Sequence, residues 1–206
     1  MSLSVVLWQA NQDLTTASLE SDFVRGIGDG SLPREKFAYY VGQDAFFLEA
    51  FARAYSICAA KAPSWESFQT FHTLAAGVLE ELNLHKAYAT AWGVDITQVA
   101  PGTATRQYTD FLLATAWSQP VGMAAIAMSP CMRLYAYIGQ SLAQPSIPDH
   151  AYTDWIKTYS SEDFEPLAQQ LEKIVDELGS DTEESRSTYR YAMQCERDFF
   201  RAAWAQ

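Results

Sequence analysis

The sequence predicts an all-α fold. Apolar residues recur at three- and four-residue spacing along almost the whole chain, which is the period of one helix face. Alternating runs of β-branched residues bounded by turn residues, the mark of strands, are absent. Helix punctuation then divides the chain. Asp29-Gly30-Ser31 and Pro33 separate the first helix from the second, Ala62-Pro63-Ser64 precedes a third, and Trp92-Gly93 closes that one. Further breaks fall at Ala100-Pro101-Gly102, Gln119-Pro120 and Pro145-Ser146-Ile147-Pro148. Gly179 fits the position just past a helix, and Ser180 with Glu183 reads as a capping box that opens the last one. Seven or eight helices with short connections, without repeats or low-complexity segments, describe a bundle whose sites lie between facing helices.

The chain has 206 residues and no linker-like stretch, so a single domain over residues 1–206 is expected. With 49% hydrophobic and 19% charged residues, it can bury a large core. Fourteen Lys and Arg against twenty-five Asp and Glu give a net charge of -11, which repels nucleic acid and acidic membrane surfaces. The three cysteines, Cys58, Cys131 and Cys195, do not form a secreted disulfide framework and suggest a reducing compartment. No basic and then apolar leader is visible at the start. The longest apolar stretch, 111–128, is interrupted by Ser118, Gln119 and Pro120. A cytoplasmic protein with neither a nucleic-acid nor a membrane partner is the expectation.

Polar residues on apolar faces point to a site. Phe37, Tyr40, Val41, Asp44, Phe47, Leu48, Phe51 and Tyr55 share one stripe, so Asp44 points inward. A buried carboxyl must be hydrogen-bonded, protonated or aimed at a polar cavity; pairing with a neighbouring helix is the structural alternative. The last helix repeats the pattern with Tyr189, Ala192, Met193, Glu196, Phe199, Phe200 and Ala203. Glu196 among aromatic rings should have a raised pKa, suited to a general acid or base near neutrality. The alternative is a buried ion pair, although Arg190, Arg197 and Arg201 lie on or toward the opposite face.

Cys131 follows Pro130. If Pro130 lies in a helix's first turn, the thiol sits near the positive helix end and its pKa falls; otherwise it is a small buried hydrophobe. Tyr135 and Ile138 continue its face. A helix from Asp149 presents Tyr152, Trp155, Ile156 and Tyr159, and one from Thr103 presents Tyr108 and Leu112. These are core tyrosines unless they share a pocket with the inward acids. Glu81 and His85 stand four apart beside Val78, Tyr88 and Trp92, the best metal-ligand spacing present. With only His72 and His150 besides, a salt-bridged or solvated pair competes with that reading.

Ordered fragments carry a resemblance over nearly the whole chain. They begin with Leu7-Trp8, Phe23-Val24 through Asp29-Gly30-Ser31-Leu32-Pro33, and Phe37-x-x-Tyr40-x-x-Gln43-Asp44. They continue with Thr105-x-x-Tyr108, Pro130-Cys131-x-x-x-Tyr135-x-x-Ile138-Gly139, Trp155-Ile156-x-x-Tyr159-x-Ser161-x-x-Phe164, and Cys195-Glu196-x-x-Phe199-Phe200. In this order they resemble the TenA, or thiaminase II, family, in its cysteine-bearing branch.

That resemblance implies a heme-oxygenase-like helical bundle that needs no cofactor or metal and is usually a homotetramer, with aromatic surface such as Trp92 or Trp117 available for the interface. It implies hydrolysis of thiamin, or of 4-amino-5-aminomethyl-2-methylpyrimidine, to the hydroxymethyl pyrimidine. Cys131 would be the nucleophile, Glu196 the acid and base, and Asp44 the partner of a ring nitrogen and its amino group. Tyr135 and Tyr159 match orienting positions, and Tyr108 and Phe199 match the walls against which the pyrimidine stacks. Phe47 stands where the family commonly has tyrosine, so a hydrogen bond near Cys131 is missing. Two readings compete: a di-metal oxidase using Glu81 and His85, and a pyrimidine-binding protein without turnover.

Overall fold

The computed structural model describes residues 1–95 and 99–206, and of 83–88 and 91 the backbone alone. Among the described residues there are ten helices and no strand. They are α1 (Leu3–Gln9), α2 (Gln12–Leu19), α3 (Asp22–Asp29), α4 (Arg34–Lys61) and α5 (Trp65–Ala91), followed by α6 (Thr103–Ser118), α7 (Val121–Leu142), α8 (Thr153–Ser160), α9 (Phe164–Leu178) and α10 (Glu183–Trp204).

The extra helices lie at the start, where the apolar spacing predicted one helix and three form. Short polar side chains cause the breaks by bonding to nearby backbone. Asn11 Nδ2 donates to the Leu7 carbonyl at 2.8 Å, ending α1. Ser21 Oγ accepts from the Val24 amide at 3.3 Å and caps α3. Gly30 then terminates α3 with a φ of 79°, a conformation that costs glycine little. Pro33 and Pro120 stand immediately before α4 and α7, so each ring precedes the first helical turn.

Three expected boundaries are corrected. The last helix is capped by Thr182, whose Oγ1 accepts from the Ser185 amide at 3.1 Å; Ser180 contributes its carbonyl to Ser185 Oγ instead. The helix expected from Asp149 begins at Thr153, because the Thr153 hydroxyl bonds back to the Pro148 and His150 carbonyls. Pro130 lies in the interior of α7, not in its first turn. Lacking an amide hydrogen, it cannot donate to the carbonyl one turn back, and the surrounding packing carries α7 through.

α4 packs against α5 and α6, while α7 packs against α6, α8, α9 and α10. The whole stripe from Phe37 to Tyr55 is buried, and so is nearly all of α7 from Val121 to Gly139. Each large apolar side chain removed from water there contributes roughly 1.5–3 kcal/mol. α7 has the length and apolar composition to cross a membrane, unlike the interrupted 111–128 stretch, but it is mostly buried inside the bundle. Trp92, expected at the surface, is half-buried; its ring stacks on Tyr152 at 5.5 Å and meets Phe37 at 4.6 Å. Trp117 is 70% exposed.

Two contacts on α7 position the helices that frame its lower face. Arg133 bonds to Glu165 at 2.9 Å and to Glu172 at 2.6 and 2.7 Å, tying α7 to α9. At Gly139 an added Cβ would lie 2.4 Å from the Tyr159 carbonyl carbon, so glycine alone allows α8 this close. Gly139→Ala is expected to push α8 outward and cost on the order of 1–3 kcal/mol, read as a lowered Tm. An unchanged Tm would show that α8 is not held by that approach.

Candidate active site

Helices α4, α5, α7, α8 and α9 converge on one void. α4 supplies Asp44, Phe47, Phe51 and Tyr55, and α5 supplies Glu81; Cys131 and Tyr135 come from α7 and Tyr159 from α8. The spacings are helical repeats: Asp44, Phe47, Phe51 and Tyr55 follow one another on one face, as do Cys131 and Tyr135. The cavity they line has a volume of about 490 Å³. Such a size suits a small-molecule ligand.

Glu196, Tyr108 and Phe199 are not among the described residues of this wall; they reach it through others. The Tyr108 hydroxyl donates to Glu196 Oε1 at 2.6 Å, and the Cys131 thiol lies beside the same carboxyl, close enough to affect its titration. Phe47 carries the aromatic link, with its ring 4.9 Å from Tyr108 and 6.2 Å from Phe199. The expected thiol and two acids are therefore brought together, with Asp44 and Cys131 facing the void and Glu196 behind the thiol. Among the described residues no arginine pairs with Glu196; Arg190 is taken by Asp13 and Arg197 by Asp198.

Burial dominates the electrostatics. It raises the Asp44 carboxyl to about 7. It raises Glu196 to about 8, held back by the hydrogen bonds from Tyr108 and Cys131 and reinforced by the Asp44 charge. The Cys131 thiol is pushed well above its ordinary value, first by burial and then by the charges of Glu196, Asp44 and Glu81. The lowering that a first-turn Pro130 would have brought does not occur. Mid-helix, Cys131 is far from any helix end, and negative neighbours surround it, so a thiolate forms only by handing its proton to Glu196.

Sequence reasoning missed three contributors. The Tyr40 hydroxyl donates to the Tyr135 hydroxyl at 3.2 Å and accepts from Trp155 Nε1 at 3.3 Å, which orients Tyr135. Tyr55 is wholly buried on the cavity wall, and its hydroxyl has no partner among the described residues. Both stand on the stripe of Asp44, and that shared face was the signal available for them. Glu81, read as half of a metal pair, accepts from the Tyr159 hydroxyl at 3.2 Å and lines the cavity. The His85 side chain lies outside the described residues. Among the described residues no cluster of three His, Cys, Asp or Glu side chains is placed to hold a metal ion.

The sign of the pH effect on stability follows. Asp44 and Glu196 have folded pKa values raised above their unfolded ones, so the native state binds more protons than the unfolded chain between about pH 4 and pH 8. Each group is fully compatible with folding below that window. Above its unfolded pKa, each costs about 1.4 kcal/mol per pH unit until its folded pKa is passed. Asp44→Asn and Glu196→Gln should therefore each flatten the fall of Tm between pH 5 and 8.5 and raise Tm at the alkaline end. A Tm difference from the unmodified protein that is independent of pH would contradict the raised values.

Comparison with known proteins identifies the family and the fold. The family model described as "TENA/THI-4/PQQC family" matches residues 8–206. The thiamine biosynthesis multifunctional protein ThiED of Corynebacterium efficiens is 36% identical over 206 residues, covering 97% of this chain and 28% of that protein. The aminopyrimidine aminohydrolase of Halalkalibacterium halodurans is 33% identical over 183 residues, covering 86% of this chain and 82% of that one. The chain spans roughly a quarter to a third of the multifunctional relatives it matches. In structure, the TenA homologue from P. horikoshii OT3 superposes with a TM-score of 0.92 at 25% identity, covering 100% of this chain and 99% of that one. Heme oxygenase-1 from the cyanobacterium Synechocystis superposes at 0.64 with 14% identity, covering 98% of this chain and 92% of that one, and so shares the fold alone. Matched from Trp8 to its last residue, the chain belongs to the TENA/THI-4/PQQC family and has a heme-oxygenase-like all-α fold.

Proposed function

We propose that this chain is a thiamin-salvage hydrolase that converts 4-amino-5-aminomethyl-2-methylpyrimidine, and thiamin as a second substrate, to 4-amino-5-hydroxymethyl-2-methylpyrimidine. The observation that carries the reading is Cys131 and Asp44 together on the wall of a cavity of ring-accommodating size, with Glu196, held by Tyr108, buried behind the thiol. The relatives named aminopyrimidine aminohydrolase support it.

The chemistry follows from the positions. In the fraction of molecules whose Glu196 is ionised, that carboxylate takes the Cys131 proton, and the sulfur adds to the pyrimidine ring, forming a C–S bond. Asp44 hydrogen-bonds a ring nitrogen and its amino group as the ring electrons shift and break the bond between the methylene carbon and the leaving nitrogen. Glu196 returns its proton to the departing amine; with thiamin the thiazolium nitrogen leaves as neutral thiazole on the C–N electron pair, and Glu196 gives its proton to solvent instead. A water then gives a proton to Glu196 and its oxygen bonds the methylene; the ring electrons return, the C–S bond breaks, and the thiolate recovers its proton from Glu196. The net change is water consumed and ammonia, or the thiazole half of thiamin, released.

The aromatic residues position the ring. Tyr135 is held by Tyr40 and meets Tyr159 edge-on at 4.8 Å, while Phe47, backed by Tyr108 and Phe199, provides a flat wall. Phe47 offers no hydroxyl, so Tyr108 serves Glu196 alone. We place the protein in the cytoplasm, in keeping with its three free buried cysteines, and assign Trp117 to the surface on which a homotetramer closes.

Product formation from the aminomethyl pyrimidine by purified protein tests the proposal. Cys131→Ala and Glu196→Gln should each lower kcat by about 10²–10⁴-fold. Undiminished turnover in Cys131→Ala would remove covalent catalysis, and ligand binding with no turnover in the unmodified protein would make it a binding protein.

A further inference from the structure

Two polar clasps from α4 hold α6, one at each end. At the far end Lys61 Nζ donates to the carbonyls of Ala116, Trp117 and Gln119 at 2.7, 3.1 and 2.7 Å. At the near end the clasp is Gln43, the residue before Asp44 and only 2% exposed. Gly102 stands at the N-cap of α6 and has no side chain with which to cap the first turn. Gln43 supplies the polar partner from outside that helix. Its Oε1 accepts from the Gly102 amide at 2.8 Å and from the Thr105 hydroxyl at 2.5 Å, and its Nε2 donates to the Ala100 carbonyl at 3.1 Å. These partners fix which way the side-chain amide faces, because the Gly102 N–H can only donate and the Ala100 carbonyl can only accept.

Thr105 lies one helical turn before Tyr108, on the same face of α6. Tyr108 is buried, its ring rests 4.9 Å from that of Phe47 on α4, and its hydroxyl donates to Glu196 Oε1 at 2.6 Å. An aromatic contact tolerates a shift of about 1 Å, whereas a hydrogen bond is lost by one. We propose that Gln43 is a positioning residue: by fixing the register of α6 on α4 through Gly102 and Thr105, it holds the Tyr108 hydroxyl on Glu196. Lys61 grips α6 at positions 116–119, more than two turns beyond Tyr108, and has no such role. The effect of Gln43 on turnover rests on the hydrolase reading above, in which ionised Glu196 accepts the thiol proton; its hold on the hydroxyl does not.

The charge state of Glu196 reports that hold. The titratable groups that reach its carboxyl are Tyr108 on α6, Cys131 and Tyr135 on α7, Asp44 on α4 and Cys195 beside it on α10. A hydroxyl donated to a carboxylate favours the ionised form, so releasing Tyr108 raises the midpoint of titration. The infrared carbonyl band that Glu196→Gln removes gives the midpoint without any substrate. Gln43→Leu should raise it by on the order of one pH unit, which is about tenfold fewer ionised carboxyls at neutrality. Tyr108→Phe should do the same, and the two together should raise it no further than Tyr108→Phe alone. Thr105→Val, which removes one hydroxyl and keeps the shape, should move it in the same direction, and it decides the matter if Gln43→Leu does not fold. Lys61→Met should leave the midpoint in place. An unmoved midpoint in Gln43→Leu and Thr105→Val, an equal rise in Lys61→Met, or a rise that persists undiminished on top of Tyr108→Phe would each overturn the assignment. Absence of turnover in the unmodified protein would overturn the hydrolase reading alone, because the titration uses no substrate.

Discussion

The arrangement depends on a short line of polar groups in a dry place: the Tyr108 hydroxyl bonded to Glu196, and the Cys131 thiol beside the same carboxyl, with Asp44 close enough for its charge to be felt. Removing these acids from water favours their neutral forms, and placing them together makes a second negative charge costlier than the first. The cluster therefore holds few charges and exchanges protons internally. Its reactivity comes from passing the thiol proton to Glu196 in the molecules where that carboxyl is ionised, not from a thiolate stabilised by a helix end, which Pro130 would have allowed only in a first turn.

Everything else in the bundle keeps that line in register. α4 and α7 are the buried spines, and every catalytic candidate but Glu196, Tyr108, Tyr159 and Phe199 stands on one of them. Gly139 lets α8 approach until Tyr159 reaches the cavity, and Arg133 ties α7 to α9 through two carboxylates. Half-buried bidentate pairing of this sort gives direction more than net stability. Aromatic rings then fill the remaining space: Tyr40 sits between Phe23, Phe37, Phe199 and Phe200 while its hydroxyl steers Tyr135. A single residue thus serves the core with its ring and the site with its oxygen.

Much of this was legible in the sequence because a helix turns spacing into direction. The stripe through Asp44 and the stripe through Glu196 each identified an acid on an apolar face, and both acids are buried. What spacing cannot supply is how separate helices are arranged around one another. It placed Cys131 in a helix but not at which depth, because a proline ring fits a first turn and, where packing insists, an interior. It could not show that Glu81 meets the Tyr159 hydroxyl, distant in sequence and brought near by Gly139. The short helices at the start escaped because Asn11 and Ser21 act through individual hydrogen bonds that leave no periodic trace.

The most direct test of the central claim is the protonation of Glu196 in the resting protein. It can be followed by the infrared carbonyl band that Glu196→Gln removes, recorded as pH is raised from 5 to 9. The account predicts a protonated carboxyl that persists through neutrality and is lost with a midpoint near 8. A carboxyl already ionised at pH 6 would contradict the desolvated, proton-sharing cluster on which the rest is built.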